Sequence, residues 1–147
     1  DAASSVIGRQ SRTLDLEPDA FVDEVSRART FGFMRDVELL WKNGFALGAS
    51  LENTVAIGED SIINPEGLRF EDEFVRHKLL DAVGDIALAG MPIIGLFRSH
   101  CGGHRLNISV LHELFSDPAN FEIVEDYGDV ASRPVRMAAA AYAPALG

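Results

Sequence analysis

Apolar positions along the chain fall into short blocks whose spacing switches between strand and helix periods. Residues 9–16 alternate toward Leu14 and Leu16, which reads as a half-buried strand. Pro18 suits the first turn of a helix running to about Arg29, with Phe21 and Val25 on one face. Residues 30–33 are a short β-prone stretch. Met34, Val37 and Trp41 then recur at helical spacing until Asn43-Gly44 stops them. Residues 54–57 and 61–64 read as strands joined by the turn Gly58-Glu59-Asp60. The clearest pattern follows. Glu71, Asp72 and Glu73 place negative charge at a helix start, where the backbone dipole favours it. Phe74, Val75, Leu79, Leu80, Val83, Ile86 and Ala87 supply the buried stripe, and Gly90 with Pro92 ends it. Residues 93–97 have strand length, 106–115 read as a second helix, and 121–124 as a last strand. The pattern predicts an α+β class: a two-layer sandwich with helices packed on one face of a mainly antiparallel sheet. One domain over 1–130 is expected, followed by a flexible tail over 131–147. That tail is rich in Ala, carries Pro134 and Pro144, and offers at most one helical turn.

Composition narrows the function classes. The 147 residues suffice for one domain with a real core. Thirteen Lys and Arg against 23 Asp and Glu give a formal charge of −10, a poor match to nucleic acid or an anionic membrane surface. A single cysteine, Cys101, excludes an internal disulfide framework and a Cys-only zinc site. No apolar run approaches the roughly 18 residues of a membrane span. Asp1 stands where an initiator Met would, with no basic-plus-apolar leader after it. This leads to the expectation of a piece of a longer, cytoplasmic protein.

Two groups of residues could do chemistry. His77, Asp81 and Asp85 stand at i, i+4 and i+8 of the strongest helix, so they share one face over two turns. A His and an Asp four apart can reach one metal ion, and imidazole with carboxylate suits zinc or iron(II) rather than calcium. The same row would also serve as a solvated helix face. Gly84 lies on that side, and a glycine inside a helix costs about 1 kcal/mol relative to Ala. Close approach of another backbone, a ligand, or plain helix packing would account for it. The second group is Cys101-Gly102-Gly103-His104. Its glycines allow sharp geometry before a His that could act as a general acid near neutral pH or simply cap a helix. Cys101 and His104 as a metal pair is the weaker alternative. Lys78 could add positive charge beside a metal, or be solvated.

Three blocks carry a family resemblance: ARTFGFMRD at 28–36, DEFVRHKLLDAVGD at 72–85 and GHRLN at 103–107. Together, in this order, they resemble UDP-3-O-acyl-N-acetylglucosamine deacetylase, a zinc amidase of lipid A biosynthesis. The resemblance runs over about 7–124 and covers only the C-terminal half of that enzyme. It implies an active site in a cleft between two similar halves, of which this chain would supply one. The HKxxD motif implies zinc ligands at His77 and Asp81. The third ligand and the glutamate general base would come from the N-terminal half. The GHxLN motif implies that His104 is the catalytic histidine, with Asp85 paired to it and Thr30 stabilising the tetrahedral intermediate. Phe31 and Lys78 match substrate-contacting positions. The substrate implied is a UDP-linked acylated amino sugar.

The resemblance further implies a βαβ insert, here about 33–64, enclosing an acyl passage. Met34, Val37 and Ala56 would line it, with Ala49 and Ser50 at its mouth; each of these could equally be ordinary core. Cys101 occupies a place that is basic in many members, and Gly48-Ala49 stands where Gly-Gly is frequent. The competing class is a non-catalytic module on the same fold that binds acyl ligands or a partner protein. Retention of His77, Asp81, Asp85 and His104 together argues against it.

Overall fold

The computed structural model describes residues 2–124 and 135–141. The elements run α1 (Ala2–Ile7), β1 (Gln10–Leu16), α2 (Pro18–Glu24), β2 (Thr30–Phe33), α3 (Met34–Lys42), β3 (Thr54–Ile57), α4 (Glu73–Ile86), β4 (Leu96–His100), α5 (His104–Ser116) and β5 (Val135–Ala141). Single 3-10 turns follow α4 at Ala87–Ala89 and α5 at Pro118–Asn120.

Helix α4 is the spine because its apolar stripe serves two cores. Val75, Leu79 and Ala82 pack with Leu14 of β1, Val25 and Met137 of β5. Phe74 turns the other way, onto Ile7, Val55 and Ile57. The first core lies over a sheet of order β1-β5-β4, and the second over the pair β2-β3. Strands β2 and β3 run parallel with α3 as the crossover, aligning Thr30 with Thr54 and Phe33 with Ile57. Ion pairs tie β1 to the start of α4: Arg12 reaches Glu24 of α2 and lies 2.9 Å from Asp72.

Several expectations are corrected. The class is mixed α+β, but the described strands are not mainly antiparallel: β1 with β5 is antiparallel, whereas β4 with β5 and β2 with β3 are parallel. The reason is β5. Residues 135–141, expected in a tail, form the central strand of the larger sheet, with Met137 buried against Leu14. An Ala-rich stretch has low strand propensity, but a place between two partners satisfies its backbone groups on both edges. The outer parts of that expected tail, 131–134 and 142–147, lie outside the described residues.

Residues 121–124 make no strand; the place beside β4 belongs to β5. Residues 61–64 give only an isolated bridge, Ile57 to Ile62. The buried Asn64 side chain replaces the rest of that ladder, accepting from Ala56 N at 2.8 Å and donating to the Thr54 carbonyl at 2.8 Å. Helix α2 stops five residues before Arg29, where Ser26 Oγ donates to the Val22 carbonyl and competes with the helical ladder. Helix α1 was not foreseen.

Candidate active site

Helix α4 presents its polar row beside the start of α5. His77, Asp81 and Asp85 sit on successive turns, and α5 opens at His104 immediately after Gly103. The approach to His104 is tight. Cys101 takes a left-handed φ of 52°, and a Cβ on Gly102 would lie 3.2 Å from Ser99 Cβ and overlap Ser99 Oγ. Only glycine fits at 102 without moving Ser99.

His77 Nε2 stands 3.4 Å from Asp81 Oδ1. Its other nitrogen, Nδ1, is 3.3 Å from the Ala28 carbonyl oxygen. The Ala28 carbonyl and the Asp81 carboxylate both only accept, so the one hydrogen of the neutral ring serves one of them; with a cation on Nε2 it sits on Nδ1 and serves Ala28. Burial pushes the His77 imidazole below the usual histidine range. The Asp81 carboxylate and the Ala28 contact pull the other way, while Lys78 and His104 add to the fall. With the hydrogen on Nδ1, the Nε2 lone pair and the facing Asp81 oxygen are a donor pair for a cation. Two ligands of a tetrahedral zinc, each bound at about 2.0–2.2 Å, lie roughly 3.3–3.5 Å apart; the pair fits that geometry. Among the described residues no group of three or more His, Cys, Asp or Glu converges to complete such a site.

His104 Nδ1 lies 3.0 and 2.9 Å from the two oxygens of Asp85. Its Nε2 lies 3.9 Å from the same Asp81 oxygen that His77 approaches. The His104 side chain is 66% exposed, whereas Asp81 and Asp85 are 10% and 12% exposed, so a solvent-accessible ring rests on a buried carboxylate. Asp85 is fixed in turn by Asn107, whose Nδ2 donates to Oδ2 at 2.8 Å.

Lys78 donates from Nζ to Asp81 Oδ2 at 2.8 Å and sits 5.5 Å from the centroid of the Phe31 ring. Phe31 packs edge-on against Phe74 at 4.9 Å and against His77 at 6.1 Å. Thus His77, Lys78, Asp81, Asp85, His104 and Phe31 form one cluster. Thr30 precedes Phe31 on β2 and is exposed. Met34, Val37, Ala49, Ser50 and Ala56 belong to the parallel unit around α3. Met34, Val37 and Ala49 are half-buried, Ser50 is exposed, and Ala56 is buried in β3. Gly84 is exposed, and no described atom lies within 4 Å of where its Cβ would be, so no described neighbour accounts for it.

Sequence reasoning missed Asn107, Arg29 and Glu73. Asn107 had a usable signal, standing three residues after His104 and therefore on its side of the helix. Arg29 and Glu73 had none. They are two opposite charges 44 residues apart, and they meet in the interior with Arg29 Nε 3.0 Å from Glu73 Oε1.

A family model for UDP-3-O-acyl N-acetylglycosamine deacetylase, LpxC, matches residues 1–116. The chain belongs to the LpxC family. The match spans α1 to the end of α5 and so includes the whole cluster. The LpxC relatives from Brucella ovis, Brucella melitensis and Brucella abortus, each called UDP-3-O-acyl-N-acetylglucosamine deacetylase, are 59% identical to it over 126 residues. That alignment covers 85% of this chain and 44% of each relative. The chain therefore spans less than half the length of these LpxC proteins.

Proposed function

We propose that this chain is the C-terminal half of a zinc-dependent deacetylase. It would act on UDP-3-O-acyl-N-acetylglucosamine, releasing acetate and a free amine in an early, cytoplasmic step of lipid A biosynthesis. The observation that carries the proposal is the convergence of His77 Nε2 and His104 Nε2 on one oxygen of Asp81, at 3.4 and 3.9 Å.

An amide is a weak electrophile with a poor leaving group. His77 and Asp81 would hold zinc, which when bound polarises a carbonyl and lowers the pKa of a coordinated water toward about 7. His104 handles the leaving group. Its Nδ1 rests on Asp85, which orients the ring, and its Nε2 would protonate the departing amine. Thr30 would donate to the developing oxyanion. Lys78 and Phe31 would flank the sugar. The acyl chain would run along the insert at about 33–64, past Met34, Val37 and Ala56 with Ala49 and Ser50 at the mouth.

Catalytic zinc typically takes three protein ligands. Two ligands on one helical turn hold it weakly, so the third ligand and the general base are assigned to an N-terminal half outside this chain. The test is zinc affinity and acetate release with and without that half added. Tight, stoichiometric zinc and turnover should appear only with both. Deacetylase activity with tight zinc from these 147 residues alone would refute the division.

One observation favours the non-catalytic reading. An apolar groove of about 780 Å³ lies between Val83, Ile86, Met91, Phe97, Val110 and Met137, within the size range of small-ligand pockets. An acyl-binding module would use it. A non-hydrolysable acyl probe separates the readings: an enzyme shifts the signals of Phe31 and Lys78, and a binding module those of Val110 and Met137.

A further inference from the structure

The peptide unit joining Ala28 to Arg29 is gripped from both sides by one helix. Its N–H donates to Glu73 Oε1 at 2.9 Å, and its carbonyl oxygen lies 3.3 Å from His77 Nδ1. Glu73 and His77 are four residues apart on α4 and so share a face. A peptide unit is planar and rigid, with its N–H and C=O pointing in opposite directions. Turning it to break one contact therefore breaks the other.

The Glu73 end is the stronger hold. Glu73 is fully buried, and besides Arg29 N it accepts from Arg29 Nε at 3.0 Å, Arg29 Nη2 at 3.1 Å and Arg69 N at 2.7 Å. The guanidinium of Arg29 is tied on its far side to Glu66 Oε1 at 2.6 Å and the Gly67 carbonyl at 2.8 Å. Both charges are paired and their hydrogen-bonding groups filled, as burial requires.

We infer that Glu73 and Arg29 are positioning residues for His77: the buried pair locks the Ala28–Arg29 peptide so that its carbonyl holds the hydrogen on Nδ1 and leaves Nε2 as the lone pair aimed at Asp81. The importance of that aim rests on reading His77 as a metal ligand. A carbonyl partner on the distal nitrogen fixes both the ring orientation and the tautomer of a ligating histidine.

The test needs neither zinc nor a second polypeptide. Long-range proton–nitrogen spectra of the 147-residue chain, labelled at histidine and recorded above pH 8, report which ring nitrogen of His77 is protonated. The wild-type ring should be protonated at Nδ1. Glu73→Leu combined with Arg29→Met removes both charges at once, which cores usually accept better than the loss of one partner. There the ratio of the Nδ1–H to the Nε2–H form should fall about tenfold, the order expected on losing one buried hydrogen bond. Arg12→Met, which removes the ion pairs from β1 to Glu24 and to Asp72 just ahead of α4, should leave the ratio unchanged. An Nε2-protonated His77 in the wild-type chain overturns the inference even if the double variant does not fold. So does an unchanged ratio in a folded double variant, or an equal fall in Arg12→Met. If zinc proves to bind elsewhere, the reading of His77 as a ligand fails while the tautomer result stands.

Discussion

His77 and His104 approach one oxygen of Asp81, yet their second nitrogens are committed differently. His77 gives Nδ1 to a backbone carbonyl and is held nearly inside the protein; His104 gives Nδ1 to a carboxylate and stays in solvent. A neutral buried imidazole suits a ligand, and an exposed imidazole beside a carboxylate suits a proton carrier. In the complete protein, His104→Ala should keep zinc and lose turnover by about 100-fold or more. Asp81→Ala should lose both, as measured by metal analysis beside acetate release. Equal metal loss in the two variants would move His104 into the ligand set. The shared face of His77, Asp81 and Asp85 was legible in the sequence, because i, i+4 and i+8 spacing places side chains on one side of a helix without any knowledge of the fold; the pairing of His104 with Asp85 followed only from the family resemblance. Asn107 and the Arg29–Glu73 pair were not, because their meaning depends on what tertiary folding brings opposite them.

Helix α4 holds the site because it is anchored in two cores, by Phe74 in one and by Val75, Leu79 and Ala82 in the other. Its exposed glycine then stands out. Gly84 has an ordinary helical backbone, and an added Cβ there meets no described atom. Gly84→Ala should therefore stabilise this chain by about 0.5–1 kcal/mol through helix propensity alone, read by urea unfolding. A loss of stability would mean that something packs against this face within the chain itself. Elements with a local cause were legible: the crossover strands and α3 between turn residues, and α4 from its stripe. Those set by competition for partners were not. The Asn64 side chain displaced a strand at 61–64, and residues 135–141 took the central place in the sheet despite an Ala-rich sequence.

Over the whole molecule, acid stability should follow the carboxylates that join the elements. Burial alone would raise the pKa of Glu73, but its hydrogen bonds from Arg29 and from the Arg29 and Arg69 backbones outweigh this and hold it below the usual range. Asp72 is likewise held low against burial by Arg76 and Arg12. A carboxyl with a lowered folded pKa stabilises above its unfolded value and loses that contribution as pH falls through the folded one. Stability from these two groups should be level above about pH 5 and decline below about pH 4. Urea midpoints across that range check it; a decline confined to higher pH would point to other groups. Among the described residues no third His, Cys, Asp or Glu joins His77 and Asp81, and the proposed zinc site takes its third donor from an N-terminal half. The most direct test is a crystal of the complete protein grown with zinc and measured at the zinc absorption edge. The account predicts an anomalous peak about 2.0–2.2 Å from both His77 Nε2 and Asp81 Oδ1. A peak elsewhere, with those two side chains turned into solvent, would contradict it.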